Sequence, residues 1–192
     1  MMPVSLPARM HESLDHVQTP AEREEIAAGY RAETLALLRK ALPMAVVVYV
    51  VSTALPELHE AFFHPDRRGW LLLHLLGDAC VGAVTVLICR YSASRAAVVW
   101  AGVLFLGMSS VVSGVYNAAV AARAERFVLR ELCLLSGAAL FLPWGPAPQL
   151  TALCAVAAVL AMTGPMMSSG DATSYLSLVL VMGGAISVGV AA

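Results

Sequence analysis

The feature that most constrains this chain is a succession of apolar runs free of Asp, Glu, Lys and Arg. A helix needs roughly 20 apolar residues to cover about 30 Å of hydrocarbon. The first run begins at Ala41 and extends to Phe62, with Glu57 and Glu60 near its end. The second, Gly69 to Cys89, is interrupted only by Asp78. The third runs from Ala96 to Ala122. A fourth block, Leu132 to Gly170, is long enough for two spans. It is cut by Pro143-Trp144-Gly145-Pro146-Ala147-Pro148, a turn through which no helix runs. The last run is Ala172 to Ala192.

The expected fold class is therefore all-α: a polytopic membrane helical bundle of about six transmembrane helices. The predicted spans are about 41–62, 70–90, 96–118, 127–143, 148–164 and 173–192. No run alternates with period 2, which argues against a β-barrel. The fourth helix has the shortest uncharged stretch, so Arg130 and Glu131 either sit at its outer interface or enter the membrane. A five-span reading makes that helix a re-entrant piece.

Composition agrees with a membrane class. The chain is 59% hydrophobic and 13% charged, with a mean hydropathy of +0.78. Disorder needs the opposite balance. A net charge of −1 with dispersed Lys and Arg excludes a nucleic-acid footprint. The four Cys fall inside apolar runs without a C-x-x-C, so they read as small buried hydrophobes.

Residues 1–40 form a polar N-terminal tail without the apolar segment of a cleavable signal. An amphipathic cytoplasmic helix is expected over about 20–40. Thr19-Pro20-Ala21-Glu22 combines an N-cap, a Pro at N1 and a Glu at N3, a capping box. Ile26, Tyr30, Leu37 and Leu38 form a sparse apolar stripe behind it. The helix lies on the membrane surface or docks a partner. With the N-terminus inside, Arg23, Arg31, Arg39, Lys40, Arg90 and Arg95 face Arg67, Arg68, Arg123, Arg126 and Arg130 across the membrane. That bias is small. Arg39-Lys40 beside the first span favours cytoplasmic N- and C-termini in a bacterial inner membrane, against the Arg cluster between spans three and four.

Polar groups inside a membrane are the default place to look for function. Tyr49, Thr53 and Glu57 follow i, i+4, i+8 on helix one. Trp70, His74 and Asp78 do so on helix two. Ser109, Ser113 and Asn117 do so on helix three, with Tyr116 beside them. At 1.5 Å per residue, Glu57 lies roughly 8 Å and His74 roughly 6 Å from the outer end, and Asp78 and Ser109 about 12–14 Å. A ligand-binding or sensing cavity between these helices, opening outward, is expected. Asp78 at that depth must be neutral or paired, and His74 is one turn away. Interhelical hydrogen bonding, with Asp78 bonded to helix-three hydroxyls, is the competing structural role.

No metal or cofactor is expected. His59 and His64 share no helix face; Glu60 and His64 are the nearest approach to a ligand pair. Met162, Met166 and Met167 invite a copper site, but Met is also an ordinary lipid-facing residue. No hydrolase, zincin, kinase or P-loop motif is present, so no catalytic residue is assigned. Ser110-x-x-x-Gly114 and Gly183-x-x-x-Ser187 let helices approach closely, within one bundle or in a homodimer. Trp144 reads as an aromatic interface anchor. Apart from such a dimer, the expected partner is the lipid bilayer.

The order of features carries a resemblance. A charged helix, Glu22 to Lys40, precedes span one. Arg90-Tyr91-Ser92-Ala93-Ser94-Arg95 joins spans two and three, and Phe141-Leu142-Pro143-Trp144-Gly145 with Gln149 joins spans four and five. Span six ends in Gly183-Gly184-Ala185-Ile186-Ser187 and further small residues. This resembles the six-helix N-terminal membrane modules of bacterial signalling proteins, whose outputs are class III adenylate cyclases, diguanylate cyclases or histidine kinases. The resemblance implies a sensory or anchoring module relaying through helix six, with the output domain absent from these residues. A self-contained small transporter or channel using a polar cavity around Asp78 is the alternative, and a membrane-enzyme subunit is a third reading.

Overall fold

The computed structural model describes residues 19–120, 124–167 and 172–189. The first 18 residues of the tail, Arg123 and the last three residues of span six lie outside them. All secondary structure in the described residues is helical. The six long helices are α1 (Pro20–Phe63), α2 (Arg68–Tyr91), α3 (Arg95–Ala119), α4 (Ala124–Phe141), α5 (Pro146–Thr163) and α6 (Ala172–Gly189). Short 3-10 turns, Pro65–Arg67 and Gly164–Met166, precede α2 and follow α5.

The Thr19 side chain accepts from the Glu22 backbone and Glu22 reaches back to Thr19, so the capping box forms and starts α1. The helix then continues for 44 residues, roughly 66 Å. Tail helix and first span are one continuous element. Pro43 and Pro56 lie inside it; each removes one helical N–H donor. Of the apolar stripe, Leu38 is buried in the core, whereas Ile26 and Leu37 are exposed.

α3 is the central helix. It packs against α2, α5, α1 and α4, while α6 fills the side between α4 and α5. Small residues permit these approaches. A Cβ at Gly114 would come within 2.6 Å of Val159 on α5, and one at Gly183 would meet Leu153. Both small-residue patterns are therefore used inside the bundle; the Ser187 side chain lies outside the described residues.

The turn between α4 and α5 has Gly145 at φ 85°, a conformation that suits Gly, and Pro146 at the first position of α5. Trp144 is not an interface anchor. It is buried against Gly102 of α3, its Nε1 donates to Gln149 Oε1 at 3.2 Å, and Gln149 Nε2 donates to the Leu135 carbonyl at 2.8 Å. An indole whose N–H has a buried partner gains more from packing than from the bilayer interface.

Four helical segments are long and apolar enough to cross a membrane: Pro20–Phe63, Pro65–Tyr91, Arg95–Ala119 and Pro146–Met166. A shorter apolar segment covers Tyr175–Ile186. The exterior carries Val47, Val51, Leu58, Leu72, Leu76 and Leu104 in exposed positions, while charged and polar groups occupy the interior. A water-soluble bundle distributes these the other way.

Candidate functional site

The polar stripes of α1, α2 and α3 converge at the end of the bundle that holds the α1–α2 and α3–α4 connections. Their meeting point is a side chain from a fourth helix, Arg130 of α4. Its guanidinium donates to Tyr49 Oη, to Ser113 Oγ and, at 3.1 Å, to Asp78 Oδ2. The same group lies over the Tyr49 ring, 5.1 Å from its centroid. One cation thus joins α1, α2 and α3 to α4.

His74 extends the network. Its Nε2 is 3.1 Å from Arg130 Nη1, and its Nδ1 is 2.5 Å from Glu57 Oε1. A guanidinium has donors only, so Nε2 is the acceptor. The ring hydrogen then sits on Nδ1, which lies close to Glu57 but makes no hydrogen bond to it. Its ring stacks on Tyr116, with centroids 4.9 Å apart and planes 3° from parallel. His74 Nε2 and Asp78 Oδ2 are 3.6 Å apart, beyond a direct hydrogen bond.

Asp78 and His74 are almost fully buried, and Glu57 is 7% exposed. Ser109 is fully buried beside Asp78. Asn117 Nδ2 donates to the Ser113 carbonyl at 2.8 Å and so supports the α3 face. Thr53 is drawn away from the cluster: its hydroxyl donates to the Tyr49 carbonyl at 2.6 Å within α1. Trp70 is exposed, since a row spaced by four residues drifts around the helix. Glu60 pairs with Arg67 at 3.1 Å. Tyr49, Glu57, His74, Asp78, Ser109, Ser113 and Asn117 therefore share one buried region.

Two members were not assigned to the site from sequence: Arg130 and the fully buried Glu131 both turn toward the bundle interior. Ser110 Oγ is 2.6 Å from Glu131 Oε2 and 2.8 Å from the Leu106 carbonyl. The signal available was charge itself: an intramembrane carboxylate needs a cationic partner, and α4 carries the nearest unassigned Arg. In the buried region Glu57, Asp78 and Glu131 outnumber the single guanidinium. The site is a hydrogen-bonded ionic core among α1, α2, α3 and α4.

Beside this core lies a cavity of about 440 Å³ between α1 and α4. Leu42, Val48, Leu134 and Leu142 line most of its length, with Tyr49 and Arg130 also in its wall. α1 and α4 flank it without packing closely on each other.

No protein-family model, curated protein or solved structure matches this chain.

Proposed function

We propose that the chain is the sensory or anchoring membrane module of a bacterial signalling protein, passing a signal through α6 to a cytoplasmic output. In this reading all six helices span the inner membrane, with both termini cytoplasmic. α4 enters the bilayer despite Arg130 and Glu131 because both charges face the bundle interior, where intramembrane ionisable groups are tolerated.

The observation that carries the reading is the position of Arg130. One guanidinium holds α4 to three other helices, and α4 packs on α6. Tyr175 of α6 donates to Glu125 of α4 at 2.8 Å. A change of charge or hydrogen bonding around Asp78 alters what holds α4, and α4 moves α6. Small shifts of packed helices between two arrangements are a standard switching device.

The test is a fusion of the whole chain in front of a soluble diguanylate cyclase domain, with cyclic-di-GMP as readout. Asp78→Asn and Arg130→Gln should each change output several-fold at equal membrane expression, whereas Thr151→Ala, whose exposed hydroxyl donates to the Ala147 carbonyl within α5, should not. Unchanged output in both cluster variants contradicts the relay.

A self-contained transporter or channel is the second reading, favoured by the cavity beside Arg130. Solute or proton flux in liposomes containing only this chain, lost in Asp78→Asn, would support it over the relay.

A further inference from the structure

The end of the bundle that holds the α2–α3 connection carries charge of one sign. Arg90 lies in the last turn of α2, Arg95 opens α3, and Arg39 of α1 donates to the carbonyl of Ser92 between them. Arg39 and Arg90 are exposed, and Arg95 is half-buried. Lys40, next to Arg39, is exposed as well. No Asp or Glu occurs from Thr34 to Pro56, from Ala79 to Ala124 or from Leu132 to Gly170. The nearest acid on α1 is Glu33, six residues before Arg39. Among the described residues none of these four cations forms an ion pair, whereas at the opposite end Arg67 pairs with Glu60 and Arg130 with Asp78.

Three features define the anion that suits this end. The first turn of α3 holds Arg95 and no acid; the helix dipole opposes a cation there and favours an anion. The three side chains around Ser92 are all guanidinium groups, whose planar fork matches phosphate oxygens. The connection also borders the apolar exterior, where Leu87 and Tyr91 of α2 and Trp100 of α3 are exposed. Aromatic side chains at the edge of an apolar surface mark the depth of lipid head groups. A free phosphate meets the charge but leaves those side chains bare. A phosphate ester with apolar tails meets both.

We propose that Arg39, Arg90 and Arg95 form a binding site for the phosphate group of an anionic phospholipid, its tails lying on the exposed faces of α2 and α3. The bound lipid offsets the repulsion among three like charges that no residue of the bundle offsets. The inference is independent of the relay reading, since it is measured on the chain alone.

The probe is phosphatidylglycerol with brominated acyl chains, mixed into phosphatidylcholine vesicles that contain the purified full chain. Trp70→Phe leaves Trp100 as the exposed indole, because Trp144 is buried, and bromine quenches an indole it touches. Quenching against lipid ratio gives the preference for phosphatidylglycerol over phosphatidylcholine at this end. It should be about fivefold or more, the contribution of a single Arg near an anionic head group. Arg90→Gln and Arg95→Gln together should remove it, whereas Arg126→Gln, an exposed Arg at the opposite end, should not. Raising the salt to about 1 M should collapse it in the chain that keeps all its Arg, a check that needs no charge variant to fold. Inorganic phosphate, compared with chloride at equal ionic strength, should leave it unchanged. Equal quenching by both lipids overturns the proposal. A preference that survives the double variant or high salt overturns it too, as does one that Arg126→Gln removes equally. Displacement by inorganic phosphate overturns the lipid assignment and makes this end a soluble-phosphate site.

Discussion

Arg130 Nη2 donates to Asp78 Oδ2 at 3.1 Å, across 52 residues of sequence and between α4 and α2. Asp78 is 1% exposed, so its charge has little water to fall back on. The remaining guanidinium hydrogens reach Tyr49, Ser113 and His74. A buried ion pair is stabilising relative to its broken halves when further hydrogen bonds satisfy both partners. Here they largely do for Arg130, and the cost of removing that side chain falls on four residues at once.

The orientation of His74 is the first consequence that can be measured. With Nε2 accepting from the guanidinium of Arg130, which has donors only, the ring hydrogen belongs on Nδ1. Nitrogen-15 NMR of selectively labelled protein should show a protonated Nδ1 and an unprotonated Nε2. Arg130→Gln should disturb that pattern. A cationic His74 in the wild type, or hydrogen on Nε2, would break the proposed chain of contacts.

Two helical glycines should behave oppositely on substitution. A Cβ at Gly102 would lie 2.7 Å from Trp144 and 3.3 Å from Leu42, whereas one at Gly137 meets nothing within 4 Å. Gly102→Ala overpacks a buried indole that is also hydrogen-bonded, and should lose about 1–3 kcal/mol. Gly137→Ala should lose nothing and gain up to about 1 kcal/mol from helix preference. Unfolding in mixed detergent micelles measures both.

Gly145 presents a backbone constraint instead of a packing one. Its φ of 85° and ψ of 176° fall in a region that is essentially reserved for Gly. Gly145→Ala should destabilise by about 1–3 kcal/mol through strain alone, with no loss of side-chain contacts. The same micelle unfolding, compared with Ala147→Gly on the following helix, checks it.

The helices were legible because each apolar run ends at a charge or a turn. Pro143 through Gly145 separate α4 from α5, although α5 already starts at Pro146 and runs on through Pro148, where a turn was expected, because Pro is accepted in a helix's first turn; the Thr19–Glu22 box marked the start of α1. The join between tail and first span was not legible. Arg39 and Lys40 read as a boundary, yet the helix passes them without a break. Arg39 instead reaches the Ser92 carbonyl in the α2–α3 connection. Charge marks where hydrocarbon stops, not where a helix stops.

The site was half legible for a related reason. Helical spacing put Tyr49 and Glu57, His74 and Asp78, and Ser109, Ser113 and Asn117 on common faces, because face is a local property. Which faces meet is set by the long-range packing of four helices. Arg130, six residues into a helix that begins at Ala124, looked interfacial by depth alone. Its inward direction depends on α1–α3 standing opposite. Thr53 failed as a cluster member because its hydroxyl found a closer acceptor one turn back.

A double-mutant cycle on Asp78 and Arg130 tests the account at its centre. Asp78→Asn, Arg130→Gln and the double variant are compared with wild type by reversible unfolding in mixed micelles. Each single change should cost about 3–5 kcal/mol by stranding its partner, with Arg130→Gln the larger because it also releases Tyr49, His74 and Ser113. The double variant should lose clearly less than the sum, with a coupling of at least about 1 kcal/mol. Additive losses, agreeing within about 0.5 kcal/mol, would show that the two residues do not act on each other. The ionic core would then not be what holds α4 to the rest of the bundle.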